Sequence, residues 1–81
     1  MYPHELRIAR VVFGATQSEV AEKLGITSAH LSTLESGRNQ ISDSLMKKFT
    51  KEIINTDRFR KNFQLFTESI IIASNNYRRY K

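Results

Sequence analysis

The sequence predicts an all-α bundle of five helices. Two observations carry that reading. Apolar residues recur at three- and four-residue steps through most of the chain, the spacing of one helical face. Residues that cap or stop helices fall between those apolar runs, while no segment gives a strong strand signal.

Each element can be justified in turn. Pro3 suits a first helical turn, where its missing N–H is not needed, and Leu6, Ala9 and Phe13 follow at helical spacing before Gly14 closes the helix. Thr16-Gln17-Ser18-Glu19 has the form of a capping box, with threonine at the N-cap and glutamate three residues on reaching back. Val20, Ala21 and Leu24 form the inward stripe of the second helix, and Gly25 stops it. Ile26 enters the core. Thr27 or Ser28 caps a third helix with Leu31 and Leu34 inward, ended by Ser36-Gly37 and followed by the polar loop Arg38-Asn39-Gln40. Ser42 or Asp43 caps a fourth helix carrying Leu45, Met46, Phe49, Ile53 and Ile54. Thr56-Asp57 caps a fifth that runs to about Tyr77. The short joints make neighbouring helices pack together.

Composition narrows the function. Eighty-one residues make one domain with a single compact core, organised as a head over 1–56 and a C-terminal helix over 57–81. The absence of cysteine excludes disulfides, thiolate metal sites and cysteine nucleophiles. His4 and His30 lack metal-ligand spacing, no glycine loop cradles a phosphate, and no nucleophile has an evident base, so neither an enzyme nor a bound cofactor or metal is expected. Neither a secretory signal nor a membrane span is visible, and a cytoplasmic location is the expectation. Thirteen Lys and Arg stand against eight Asp and Glu, a net charge of +5. That balance suits a polyanionic partner as well as it suits an inert basic surface.

The informative stretch is Gln17 to Ser36, QSEVAEKLGITSAHLSTLES. Ala21 is small where two helices cross, Gly25 supplies the turn between them, and Ile26 plugs the corner. Two short helices joined in this way form a helix-turn-helix, whose second helix lies in the DNA major groove. Over roughly Leu6 to Ile54 the chain resembles the phage Cro/repressor helix-turn-helix family, also called the XRE family. The match is carried by Arg10, Thr16-Gln17, Ala21, Gly25, Leu31, Leu34-Glu35 and Gly37, in register. The resemblance implies a five-helix bundle of the lambda-repressor-like type, with the helix-turn-helix at helices 2 and 3; the long C-terminal helix is read from periodicity alone.

The outward residues of the third helix are Thr27, Ser28, Ala29, Ser32, Thr33 and Ser36, all small and uncharged. Such side chains let a helix sit deep in a groove, with hydroxyls bonding bases or phosphates and methyls touching thymine. The resemblance places base readout at Ser28, Ala29 and Thr33, with Ser32 at the margin, and puts Asn39 at a loop position that reaches base edges in some relatives. Backbone contacts are expected from Thr16, Gln17, Thr27, Ser36 and Arg38, with Gln17 holding a phosphate at a helix N-terminus. Relatives often carry glutamine at the first reading position. Ser28 and Ala29 cannot make a bidentate adenine contact, so DNA shape is expected to contribute to specificity. The resemblance also pairs Arg10 with Glu35 as an internal salt bridge.

Beyond the resemblance, Phe59, Phe63, Phe66, Ile70, Ala73, Tyr77 and Tyr80 keep a heptad spacing. One reading packs the whole stripe on a second apolar face of the first helix, formed by Ile8, Val11 and Val12. The favoured reading lets Phe59 and Phe63 close the core while Phe66, Ile70, Ala73 and Tyr77 meet a second copy. A short strand through the β-branched Ile70-Ile71-Ile72 is a further alternative. The functional expectation is a homodimeric regulator of transcription on a palindromic double-stranded DNA operator, a phage or mobile-element repressor or controller. Its alternative is a protein-interaction module, an antitoxin or anti-repressor on the same fold. With no room for an effector domain, a protein antagonist is one candidate means of control.

Overall fold

The computed structural model describes the backbone of residues 2–79 and the side chains of 2–74. The side chain of Tyr77 and all of Tyr80 lie outside the described residues. Five α-helices are present: α1 Pro3–Phe13, α2 Gln17–Leu24, α3 Ser28–Glu35, α4 Asp43–Phe49 and α5 Asp57–Arg79. Among the described residues there is no strand, so Ile70-Ile71-Ile72 continues α5.

Local chemistry sets the ends of these helices. Thr16, Thr27, Ser42 and Thr56 each accept the backbone N–H three residues on, at 3.2, 3.1, 3.2 and 3.1 Å. Each thereby satisfies one orphan donor of its helix. Thr27 rather than Ser28, and Ser42 rather than Asp43, therefore act as caps. The box at Thr16 differs from the expected form. Glu19 does not reach back to the backbone; its carboxylate accepts the Thr16 hydroxyl at 3.5 Å. Gly25 closes α2 at φ 72°. That left-handed conformation lets its N–H meet the Glu22 carbonyl and turns the chain sharply into α3.

The fourth helix does not run regularly to Ile54. After Phe49 it widens into a π-helical turn over Thr50–Ile54. The Thr50 hydroxyl donates to the Met46 carbonyl at 2.9 Å. The Asn55 N–H reaches the Thr50 carbonyl five residues back at 2.7 Å. The Thr50 N–H still meets the Met46 carbonyl, so the Asn55 bond is the one that has left the regular four-residue ladder. The wide turn leaves Phe49 and Ile53 fully buried and Ile54 packed at the core's edge.

The core joins Leu6, Ala9 and Phe13 of α1 to Ala15, to Val20, Ala21 and Leu24 of α2, to Leu31 and Leu34 of α3, and to Phe49 and Ile53. Ile26, Ile41, Leu45, Met46, Ile54 and Phe59 pack around it. Helix α1 is central, touching α3, α5 and the π turn.

Helix α5 departs from the expected packing. Phe63 does not close the core: it is 49% exposed and stacks on Phe59 with ring centroids 6.1 Å apart. The places against the end of α1 are taken by polar side chains. Arg58 donates to the Gly14 carbonyl at 2.7 Å with its guanidinium 4.2 Å from the Phe13 ring centroid, and Asn62 donates to the Phe13 carbonyl at 3.3 Å. These contacts use a different strip of α5 and turn the heptad seam sideways. The alternative packing of the stripe on Ile8 and Val11 is also not seen, because both remain exposed. Between the two helices lies an open groove of about 650 Å³, lined by Ile8, Val11, Val12, Leu65 and Phe66 with polar neighbours. Past it, α5 projects from the head, and the molecule measures 47 × 26 × 20 Å.

Candidate nucleic-acid interface

The site is built on the relation of α2 to α3. Ala21 and Val20 are buried on the inner side of α2, and Leu31 and Leu34 on the inner side of α3. Fixing these four inward leaves the opposite side of α3 to solvent. Ser28, Ala29 and Ser32 are exposed there, with His30 beside them, while Thr33 is half-buried.

A charged contact beneath this surface locks α3 to α1. Arg10 and Glu35 meet side by side, Nε to Oε2 at 2.8 Å and Nη2 to Oε1 at 3.1 Å. Arg10 also donates through Nη1 to the Ala15 carbonyl at 3.0 Å. The side chains are only 14% and 5% exposed. At that depth the fork geometry matters, because it satisfies both charges together. Gln17 joins the same cluster, its Nε2 donating to Glu35 Oε1 at 3.1 Å. One donor of Gln17 is thus spent inside the protein. Its second Nε2 proton and its backbone N–H at the start of α2 are the donors not used in this cluster.

The end of α3 positions the following loop. Gly37 reverses the chain at φ 82°. The Gly37 N–H then meets the Leu34 carbonyl at 3.3 Å, and the Arg38 N–H meets the Thr33 carbonyl at 3.0 Å. This double closure is the Schellman arrangement, and it brings Asn39 back over α3. The Asn39 N–H bonds the same Thr33 carbonyl at 3.3 Å, and its side-chain Nδ2 bonds Thr33 Oγ1 at 3.0 Å. Ser36 donates its hydroxyl to the Thr33 carbonyl at 3.2 Å, and Arg38 is exposed without an ion-pair partner among the described residues.

One contributor is not among the residues expected from sequence. Arg7 is exposed on α1, unpaired among the described residues, and borders a shallow depression shared with Gln17, Ser32 and Ser36. It stands one turn before Arg10, and that pairing of basic residues on one helix is the signal that points to it. No group of three or more His, Asp or Glu suited to a metal occurs among the described residues. No helix there is long and apolar enough to cross a membrane.

Short α2, glycine turn, α3 locked by a buried ion pair, and a small-residue outer face together define a helix-turn-helix head. A family model described as helix-turn-helix matches residues 6–53, more than half of the chain. The chain belongs to this XRE-type helix-turn-helix family. It is also similar to an uncharacterized HTH-type transcriptional regulator of Archaeoglobus fulgidus, 38% identical over 69 residues that cover 79% of this chain and 30% of the relative. The chain thus spans less than a third of that relative's length. No solved structure matches it.

Proposed function

We propose that the protein regulates transcription by binding a specific double-stranded DNA site, and that it does so as a homodimer on a palindromic operator. The observation that carries this reading is the outer face of α3. Ser28, Ala29 and Ser32 give it an uncharged, low relief that fits a major groove, with exposed cations at Arg7, beside Ser32 and Ser36, and at Arg38, just past the end of α3, to meet phosphates. The family and the regulator-like relative support the same class of function. The reading is of a binding protein rather than a catalyst.

The dimer is supported by the surface left over on α1 and α5. Phe66 lines one groove with Leu65, Ile8 and Val11, all exposed, and Ile70 one turn further along α5 is 49% exposed. Isolated soluble domains rarely carry such patches unless something covers them. A two-fold pair would set two reading helices about 34 Å apart, one turn of DNA.

Selection from random duplex DNA followed by titration tests the proposal. The selected site should bind orders of magnitude more tightly than scrambled DNA, and its sequence should be palindromic. Two heads neutralising phosphates through Arg7 and Arg38 give four contacts, a salt slope of about −4 at roughly 0.9 per phosphate. Arg38→Ala, present in both heads, should weaken all sequences alike and make the slope shallower by about two units. Equal affinity for selected and scrambled DNA overturns the reading.

A further inference from the structure

The polar groups at the end of α3 form a closed arrangement, and it divides two residues that otherwise look equivalent. We propose that Asn39 reads an adenine and that Thr33 is its positioning residue, not itself a reader of bases. The inference rests on the DNA-binding reading above.

The proton count decides the roles. A threonine hydroxyl has one proton to give. In Thr33 that proton is donated to the His30 carbonyl at 2.7 Å. Its oxygen can then only accept. Facing it at 3.0 Å is the Asn39 amide. The amide must present Nδ2, because a flipped amide would set two acceptors against each other. The Thr33 carbonyl meanwhile holds the Arg38 and Asn39 backbone N–H groups at 3.0 and 3.3 Å, so the loop is fixed by backbone and side chain at once. Gly37 makes this return possible, because at φ +82° any side chain would be strained.

What remains outward is informative. Thr33 has no free donor to offer a base. Asn39 is exposed, and its amide keeps the Oδ1 acceptor and a second Nδ2 proton. One acceptor beside one donor complements the major-groove edge of adenine, which presents an N6 donor and an N7 acceptor. Fixing the amide's polarity in advance favours one orientation of the base pair and removes a rotamer cost from binding.

Two substitutions of Thr33 separate positioning from reading. Thr33→Val keeps the methyl, which could touch a thymine, and deletes the hydroxyl that holds Asn39. Thr33→Ser does the reverse. Each variant, with Asn39→Ala and the wild type, is put through site selection on random duplex DNA. The wild type should enrich adenine at one position in each half-site. Asn39→Ala and Thr33→Val should each lower discrimination at that same position by about tenfold or more and leave the other positions unchanged. Thr33→Ser should retain it. Combining Thr33→Val with Asn39→Ala should bring no further loss. Preference kept by Thr33→Val and lost by Thr33→Ser would overturn the inference and make the methyl the reader. Preference kept by Asn39→Ala would overturn it outright, and this variant decides the matter even if circular dichroism shows Thr33→Val to be misfolded. A wild type that enriches no sequence would instead defeat the DNA-binding reading on which the inference stands.

Discussion

The head and the C-terminal helix treat their apolar residues in opposite ways. Among the described residues, the buried apolar core lies wholly between Leu6 and Ile53, whereas most of the large exposed apolar residues, Phe63, Leu65, Phe66, Ile70, Ile71 and Ile72, lie on α5. Both regions have amphipathic periodicity, so the difference is not one of pattern. The head's helices are short and joined by tight turns, so each stripe folds back against another. Helix α5 is 23 residues in one piece. Such a rod is about 34 Å long at roughly 1.5 Å per residue and cannot fold back on itself. A helical stripe is buried within its own chain only where chain geometry supplies a neighbour.

Charge divides along the same line. Residues 1–56 carry seven Lys and Arg against six Asp and Glu, and residues 57–81 carry six against two. The head is nearly neutral overall, and most of the basic excess belongs to the C-terminal segment. Total charge is therefore a poor guide to the reading surface. On the DNA-binding reading proposed above, the exposed cations Arg7 and Arg38 set the salt dependence.

Substitutions can break or sharpen this contrast, and their effects on the head's unfolding should fall in a definite order. Phe49 is fully buried between the helices. Phe49→Ala should cost about 3–5 kcal/mol, read as a large fall in the thermal midpoint. Arg10→Met or Glu35→Gln should each cost about 3–5 kcal/mol by stranding its partner, or less where water reaches it. The double substitution should cost less than the sum of the two. Strict additivity in that cycle would deny the pair any coupling. Thr27 caps α3 through the His30 N–H. Thr27→Ala should cost about 1 kcal/mol.

The smallest effect on unfolding is expected from Phe66→Ser with Ile70→Ser, since neither residue enters the core. The pair should change the unfolding of a dilute head by about 0.5 kcal/mol at most. The same pair should convert a sedimenting dimer to a monomer and weaken operator binding. A wild-type monomer at high micromolar concentration would show that α5 does not assemble copies. A large loss of stability in the double variant would show that these residues support the head after all.

Much of the head is legible in the sequence because its signals are local and mutually consistent. Thr16, Gly25 and Gly37 punctuate, Leu31 and Leu34 point inward, and the outward face of α3 follows from them. The π turn is not legible, because apolar spacing does not report a local shift from four- to five-residue backbone bonding such as the Asn55 N–H to the Thr50 carbonyl. The position of Phe63 is hidden for another reason. Heptad spacing shows which residues share a face of α5, yet the rotation of that face is set by Arg58 and Asn62, two polar residues that bind the end of α1. The roles of Thr33 and Asn39 are likewise hidden. Both are candidates by position, and only the direction of each hydrogen bond distinguishes them.

The attachment of α5 at Gly14 has a mechanical consequence. Arg58 and Asn62 fasten the helix near its base through the Gly14 and Phe13 carbonyls. There they also satisfy acceptors at the end of α1 and set a cation at that helix's negative end. Everything beyond is a cantilever. A rotation of about 10° at the clamp sweeps the far end of the roughly 26 Å beyond Asn62 through about 4.5 Å. On the dimer reading proposed above, the stiffness of this attachment, two hydrogen bonds and a stacked guanidinium beside Phe59 on the core, governs how far apart the two heads can be carried. On that reading, loosening Arg58 widens the range of operator spacings the pair tolerates and leaves the base preference of each head alone.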